Sequence, residues 1–391
     1  MFGFFKSGAR DAVACDISRA AVKMLAFSYN SEKREFSRLD HQIFAFPEFS
    51  DKFNNFTRAL AALEAFLNNT AKHLGRRIER VLVSVPDSAL LMDVHNFRFI
   101  RPNPETTVAS GELAELWKKL EAEAGERLLP EGAPPRAYDL IPAEPEHFSI
   151  DGYTVKGKMR RSGKELTIAA LVSAWPDEFA EAVETLSQKF PKTNFRILPE
   201  AAAIRDYIGF RTHSDFSGIA ADIGAEDSTL LLFSNGVFND CWSFPFGGND
   251  VTRAIAKAFA VSFGDAETLK RQWSQAALDE AAAKLAHTAA SRVIEFWKHE
   301  WGTLLTTQAE TGVIAPEICL MGGGARLPIL ADAFSDSDWL ELFSSGQRSR
   351  VWLLPREEGA KPFLQSWPFA SGGDEVIFSL VSRMIQQEHA W

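Results

Sequence analysis

The chain has 391 residues, 46% of them hydrophobic and 24% charged, with a net charge of -10. That length predicts two or three domains, and the acidic balance excludes a sequence-independent grip on nucleic acid, which needs a clustered excess of Lys and Arg. No apolar run approaches the roughly 20 residues that span a bilayer, the amino terminus lacks a signal-peptide core, and Cys15, Cys241 and Cys319 are spaced for neither a metal motif nor a disulfide framework, so a reducing cytoplasm is expected.

"MFGFFK", residues 1–6, reads as a terminal strand or tail, or as a short segment that dips into a membrane surface or docks on a partner. In "ACDISRAAVKMLAFS", Ala14 to Ser28, apolar residues lead into Asp16, small or polar residues follow Ile17, and a second apolar run ends at another turn. That is the pattern of a β-hairpin. Phe56, Leu60, Leu63 and Leu67 recur at three and four spacing and predict an amphipathic helix over Phe53 to Leu74. A buried strand, "RVLVSVP", follows at Arg80 to Pro86.

From about Val94 to Ala174 the rhythm changes. "VHNFRFI" is strand-like, Gly111 to Glu123 is a helix capped near Ser110, and Leu129 to Arg136 is a proline-rich loop. Strands are expected at Tyr138 to Ile141, Tyr153 to Met159 and Leu166 to Val172. The stretch reads as a small α+β insertion, residues 94–173, within a first half made of 1–93 and 174–210. Its basic patch, Lys156 to Arg161, reads mainly as a solvated hairpin. A helix from Asp177 to Lys189, behind Pro176, resumes the host domain.

The second half, 211–391, opens with an echo: in "DIGAEDSTLLLFS" Phe233 follows Asp222 by the interval that separates Phe27 from Asp16. Helices are expected at "DVTRAIAKAFAV" and from Leu278 to Trp301, then the strand "EICLM", Glu317 to Met321, running into "GGGARLPIL". A strand followed by Gly322, Gly323 and Gly324 lets backbone approach a ligand and aims a helix amino terminus at it, or is a simple helix-entry turn. "DEVIFSLVSRMIQQEHAW" reads as a closing helix, about 374–388, packing back on the core.

Two hairpin-led halves, a late glycine loop and an insertion in the first half resemble the actin-like ATPase superfamily, and more narrowly its FtsA and PilM branch. "DISRAAVK" is similar to that family's first phosphate motif, "DIGAEDST" to its second, and "CLMGGGARLPIL" to its adenosine motif. "FPFGGNDVTRAIAKAF" followed by "GDAETLK" resembles the segment after the second hairpin. "YDLIPAEPEHFSIDGY" looks like the extra domain of FtsA, whereas "VLVSVPDSAL" and the Ala225-Glu226 pair look more like PilM. The implied fold is α/β, two duplicated RNase H-like halves around a nucleotide cleft. The chain departs from FtsA in showing no carboxy-terminal amphipathic membrane helix after the closing helix.

The resemblance implies ATP and magnesium as ligands. Asp16 and Asp222 would orient magnesium through water, or else merely cap turns. Ser18, Arg19, Gly224 and Ala225 would face phosphates, Gly247 and Gly248 the cleft floor, and Gly322, Gly323 and Gly324 the α-phosphate and ribose. Glu267 and Lys270 are either adenine-ribose contacts or a solvent-facing ion pair. Glu226 and Asp227 stand where glycines are expected and would repel a triphosphate by about 1 kcal/mol each at 4 Å in water, unless they point outward. "LPEAAAIRDY" puts Leu198 where chaperone relatives carry a catalytic glutamate, with Glu200 two residues on as a weak candidate, so at most a weak ATPase is expected. A division scaffold on a tubulin-like protein, a PilM-like platform for an envelope peptide, a pseudo-ATPase, and a sugar or acetate kinase are the functional readings. Self-association and, at most, peripheral membrane contact through residues 1–6 accompany the first two.

Overall fold

The computed structural model describes residues 10–30, 35–46, 52–129, 137–155, 161–212, 215–309, 317–335, 350–354 and 374–387. Residues 1–6 and all of the 156–161 patch but Arg161 lie outside them. In the first half, β1 (Arg10–Ile17), β2 (Ala21–Asn30), β3 (Glu35–Ala45), β4 (Arg80–Val85) and β9 (Asn194–Pro199) form one sheet in the order β3-β2-β1-β4-β9. In the second, β10 (Gly218–Ile223), β11 (Ser228–Ser234), β12 (Val237–Phe244), β13 (Glu317–Met321) and β14 (Arg350–Leu353) repeat it as β12-β11-β10-β13-β14. Each sheet begins with a three-stranded antiparallel meander and continues in parallel, β1 with β4 and β4 with β9 in the first, β10 with β13 and β13 with β14 in the second. The two hairpin motifs of the sequence are thus the same element used twice.

Helix α1 (Lys52–Leu74) buries Phe56, Leu63, Phe66 and Leu67 on the first sheet, the stripe its three and four spacing dictates. Between β4 and β9, a third sheet of β5 (Leu91–Ile100), β6 (Tyr138–Ile150), β7 (Tyr153–Val155) and β8 (Glu165–Pro176), in the order β5-β8-β6-β7, carries α2 (Ser110–Leu128). This insertion extends a little beyond 94–173 at both ends. Ser110 is the first residue of α2 rather than its cap: Ala109 holds that position and makes no side-chain bond. Strand β6 continues past the expected end at Ile141, but its register shifts around Pro142 and Pro145, which have no N–H to give the ladder. Asp151 and Gly152, both at positive φ, turn the chain into β7.

Helix α3 (Asp177–Lys189) completes the first half, and α4 (Glu200–Arg211) joins it to the second. Ala201, Ala202, Ala203 and Ile204 are all fully buried, because this stretch of α4 is sandwiched between the sheets. Helices α5 (Gly248–Phe259), α6 (Phe263–Ser274), α7 (Glu280–Ala309) and α8 (Leu330–Phe334) cover the second sheet, with Trp297 and Trp301 stacked on Phe246 and Phe334 at its core. The last helix, α9 (Glu375–Gln387), packs on α4, β1, β2 and β4. Its Ile377, Leu380 and Val381 are fully buried, and each such side chain contributes about 1.5–3 kcal/mol. No helix among the described residues is long and apolar enough to cross a membrane.

Candidate functional site

The two turns face each other across the junction of the halves. Asp16, at the end of β1, lies beside Lys23 of β2 and Ser84 of β4; Asp222, at the end of β10, lies beside Thr229 of β11 and Met321 of β13. Two residues on, the Ser18 amide donates to Ala21 O and the Gly224 amide to Asp227 O, both at 2.9 Å. The duplication therefore extends to single hydrogen bonds. It also means that these two amides close their own turns rather than pointing at a ligand.

Asp16 is buried, accepts from Ser84 Oγ at 2.9 Å and lies 4.0 Å from Lys23 Nζ. Burial raises its pKa against the opposing pull of Lys23 and Ser84. Asp222 is pushed well up by burial, then by the charges of Glu375, Asp16 and Asp227. Glu200, the first residue of α4, is pushed well up by burial and by Asp222, Asp16, Asp87 and Asp227. So many acids opposing one another would be relieved by a cation. Among the described residues no group of three or more His, Cys, Asp or Glu is placed to hold a metal directly. The donor set fits an ion such as magnesium, which keeps most of its waters and takes few carboxylates.

On the second half the expected residues converge. Gly248 N donates to Gly224 O at 2.9 Å and Asn249 N to Ala225 O at 2.7 Å, tying the start of α5 to the second turn. A Cβ at Gly247 would come within 2.8 Å of the Gly224 and Ala225 carbonyls, so this approach requires glycine. Lys270 Nζ donates to Gly248 O at 3.0 Å and Thr252 Oγ1 at 2.7 Å and pairs with Glu267 at 2.7 Å; Thr252 Oγ1 also lies 2.8 Å from Glu267 Oε2. Burial lowers the Lys270 pKa. Burial raises the Glu267 pKa, but Lys270, Thr252 and Arg271 together bring it below its usual value. Glu267 and Lys270 are thus an ion pair turned inward onto the α5 amino terminus, not a solvent-facing one.

The glycine loop needs a different explanation from the one its sequence suggests. Gly322 has φ +87°, and a Cβ there would run into Asp222 Oδ1 and sit 2.7 Å from Ile223 O; a Cβ at Gly324 would meet Ile223. These glycines are demanded first by the end of β10 passing beside them. Gly323 is an exposed residue in right-handed helical conformation. Instead of a helix starting at the glycines, there is a single 3-10 turn, Gly324–Arg326, and then the five-residue α8.

Glu226 and Asp227 are both engaged by protein. Glu226 accepts from Asn249 Nδ2 at 2.8 Å and twice from Arg253 Nη2, at 2.8 and 2.9 Å, so its charge is neutralised against α5. Asp227 Oδ2 accepts from Ser88 Oγ of the first half at 2.6 Å. Arg19 also crosses, with Nη1 3.4 Å from Glu226 O, while its own carbonyl accepts from Asn55. Leu198 is fully buried beside Ser84 in the β4 and β9 ladder, whereas Glu200 lies among the acids at the junction.

Asp87, in the single 3-10 turn after β4, also lies at the junction, although no motif in the sequence singles it out. Asp87 Oδ1 accepts from Ala201 N at 3.0 Å and Oδ2 from Thr229 Oγ1 at 3.1 Å. Burial raises its pKa to about 7. Glu375 and Lys23, which act on Asp222, were also missed. The nearest signal was a Pro-Asp-Ser after a buried strand, which marks a turn but not what the turn touches.

Residues 219–344 match the family model described as cell division protein FtsA. No curated protein matches the chain in sequence. Among solved structures, the PilM-PilN type IV pilus biogenesis complex is similar over 96% of this chain and 98% of that one, at 18% identity and TM-score 0.64. Fainter likenesses extend to the ethanolamine utilization protein EutJ from Carboxydothermus hydrogenoformans (12% identity, 96% and 90% covered, TM-score 0.46) and to MreB5 of Spiroplasma citri bound to ADP (10%, 97% and 97%, 0.44). With its duplicated sheets and paired turns, and a likeness to the PilM-PilN complex over nearly the whole of both chains, the chain has the actin-like ATPase fold, and residues 219–344 within its second half match FtsA.

Proposed function

We propose that the chain binds ATP with magnesium between its halves and serves as a scaffold or polymerising adaptor in bacterial cell division, with the nucleotide as a slow or static switch. The observation that carries this is the convergence of Gly224, Gly248, Gly324 and Lys270: a Cβ added to Gly248 would lie 3.5–3.7 Å from atoms of the other three. Asp16 and Asp222 flank this floor as the residues that would orient hydrated magnesium, which supplies charge neutralisation to the phosphates. Slow turnover is supported by Leu198, which stands where the chaperone relatives carry a catalytic glutamate and is fully buried in the β4 and β9 ladder. The test is thermal unfolding with MgATP. At a hundredfold excess over Kd the chain should gain about 2.7 kcal/mol, and no shift at millimolar MgATP overturns the reading.

A second reading, a pilus-assembly platform for a membrane protein's peptide, is supported by the likeness to the PilM-PilN complex over nearly the whole of both chains. Immobilised peptides separate the two. Capture of a tubulin-like division protein's carboxy-terminal tail supports the first, and capture of an inner-membrane pilus protein's amino terminus the second.

A further inference from the structure

We propose that the two halves are latched shut by the protein's own side chains, Ser88 on Asp227 and Asp87 on Thr229, so that closure does not wait for nucleotide. Both halves of the latch come from compact local structure. Asp87 and Ser88 are consecutive residues of a single 3-10 turn, Asp87–Ala89, directly after β4. Asp227 and Thr229 lie two apart where the second turn enters β11, a spacing that puts both side chains on one face.

The bonds are well made. Ser88 Oγ to Asp227 Oδ2 is 2.6 Å, the length of a charge-assisted hydroxyl-carboxylate bond. Thr229 Oγ1 to Asp87 Oδ2 is 3.1 Å between two buried residues. Asp87 is itself anchored, because its Oδ1 accepts from Ala201 N in the first turn of α4, where exposed amides favour an acceptor. One carboxyl therefore joins the first half, the connecting helix and the second half. Arg19 adds a third crossing, onto the Glu226 carbonyl. A triphosphate lying between two such turns would link them by accepting from both; here the second turn accepts directly from the first half, through the Asp227 carboxylate and the Glu226 backbone carbonyl. Of the two acids that look misplaced for phosphate binding, Asp227 is the one whose side chain bridges the junction.

The inference goes beyond the proposed nucleotide site and does not require it. The first test places spin labels at Ala61→Cys on α1 and Lys284→Cys on α7, both exposed and on opposite halves; Cys15, Cys241 and Cys319 are buried and stay unlabelled. The nucleotide-free chain should show one narrow distance distribution that MgATP leaves in place. A broad distribution that narrows or contracts only on adding MgATP overturns the latch while upholding nucleotide binding. A narrow distribution with no MgATP-dependent stabilisation upholds the latch and sinks the proposed nucleotide site. The second test is hydrogen exchange in Ser88→Ala and Thr229→Val, both mild substitutions. Each should lower protection of the Ala201 and β11 amides about tenfold, and the pair about a hundredfold, the loss expected for one and two hydrogen bonds, with β2 protection unchanged. Unchanged protection in the double variant overturns the proposal.

Discussion

Gly248→Ala separates a glycine kept for a ligand from one kept for the fold. Gly248 is the first residue of α5 and is not at positive φ, and its added Cβ would meet Gly224 O at 3.5 Å, Lys270 Nζ at 3.6 Å and Gly324 Cα at 3.7 Å, all ordinary contacts. The protein alone therefore accommodates alanine, and the smaller backbone entropy of the unfolded chain should raise stability by about 0.5 kcal/mol. The methyl nevertheless occupies the floor shared by the second turn, the glycine loop and Lys270. A phosphate seated on that floor loses its place, and MgATP affinity should fall at least about tenfold, or about 1.4 kcal/mol. Gly322→Ala is the contrast. Its left-handed backbone costs about 1–2 kcal/mol with any Cβ, and collision with Asp222 and Ile223 adds about 1–3 kcal/mol. Urea unfolding reads stability and titration calorimetry reads affinity. Gly248→Ala binding MgATP as tightly as the parent would refute the placement of the site, and Gly322→Ala within about 0.5 kcal/mol of the parent would refute the packing argument.

Three further perturbations test the charges. Arg253→Ala releases the Glu226 carboxylate beside the second turn, which at about 1 kcal/mol of repulsion should weaken MgATP about fivefold; calorimetry should show Glu226→Gln restoring it in the same background. Asp87 and Glu146 hold their protons to about pH 7 and Asp240 to about pH 6, mainly through burial, whereas unfolded carboxyls release theirs near pH 4. Between those limits these three groups bind more protons in the folded chain, so the stability they contribute should fall as pH rises from about 4 to 7 and be lost above it. Asp87→Asn should flatten the decline in urea unfolding measured from pH 5 to 8. Glu144, 2% exposed at its side chain, meets Arg196 at 2.7 Å and the Arg383 and Arg205 guanidinium groups, joining the insertion to β9, α4 and α9. Glu144→Ala leaves three arginines without their shared partner and should cost about 3–5 kcal/mol, which a parent-like urea midpoint would contradict.

What could be read from the sequence was what is local. The hairpins at Asp16 and Asp222, the stripe of α1 and the strand before Gly322 each follow from alternation or helical spacing within about twenty residues. Strand β3 was passed over because it is an exposed edge with a bulge near Leu39, so its alternation is broken and its apolar face small. Lys270 and Glu267 could be paired from their spacing. That Thr252 and Gly248 O complete the group depends on how α5 packs against α6, which no local pattern encodes. Asp87 with Thr229 and Ser88 with Asp227 are separated by 142 and 139 residues, and nothing in a single sequence marks such partners.

Glu226 and Asp227 show why composition at a motif is weak evidence about its chemistry. Their sequence position argues for repulsion of phosphate, yet repulsion requires a free charge facing the ligand. Glu226 spends its charge on Arg253 and Asn249 within its own half, and Asp227 spends its on Ser88 of the other. The turn keeps the fold of its counterpart at Ser18, down to the amide bond that closes it. Acids can therefore occupy a turn of this fold without remodelling it, provided that each has a donor at hydrogen-bond distance. The consequence falls on closure rather than on affinity: a carboxylate built into the turn is present at all times, whereas a phosphate comes and goes. A turn so equipped loses part of its dependence on ligand, which is the behaviour that a static switch requires and a cycling ATPase does not.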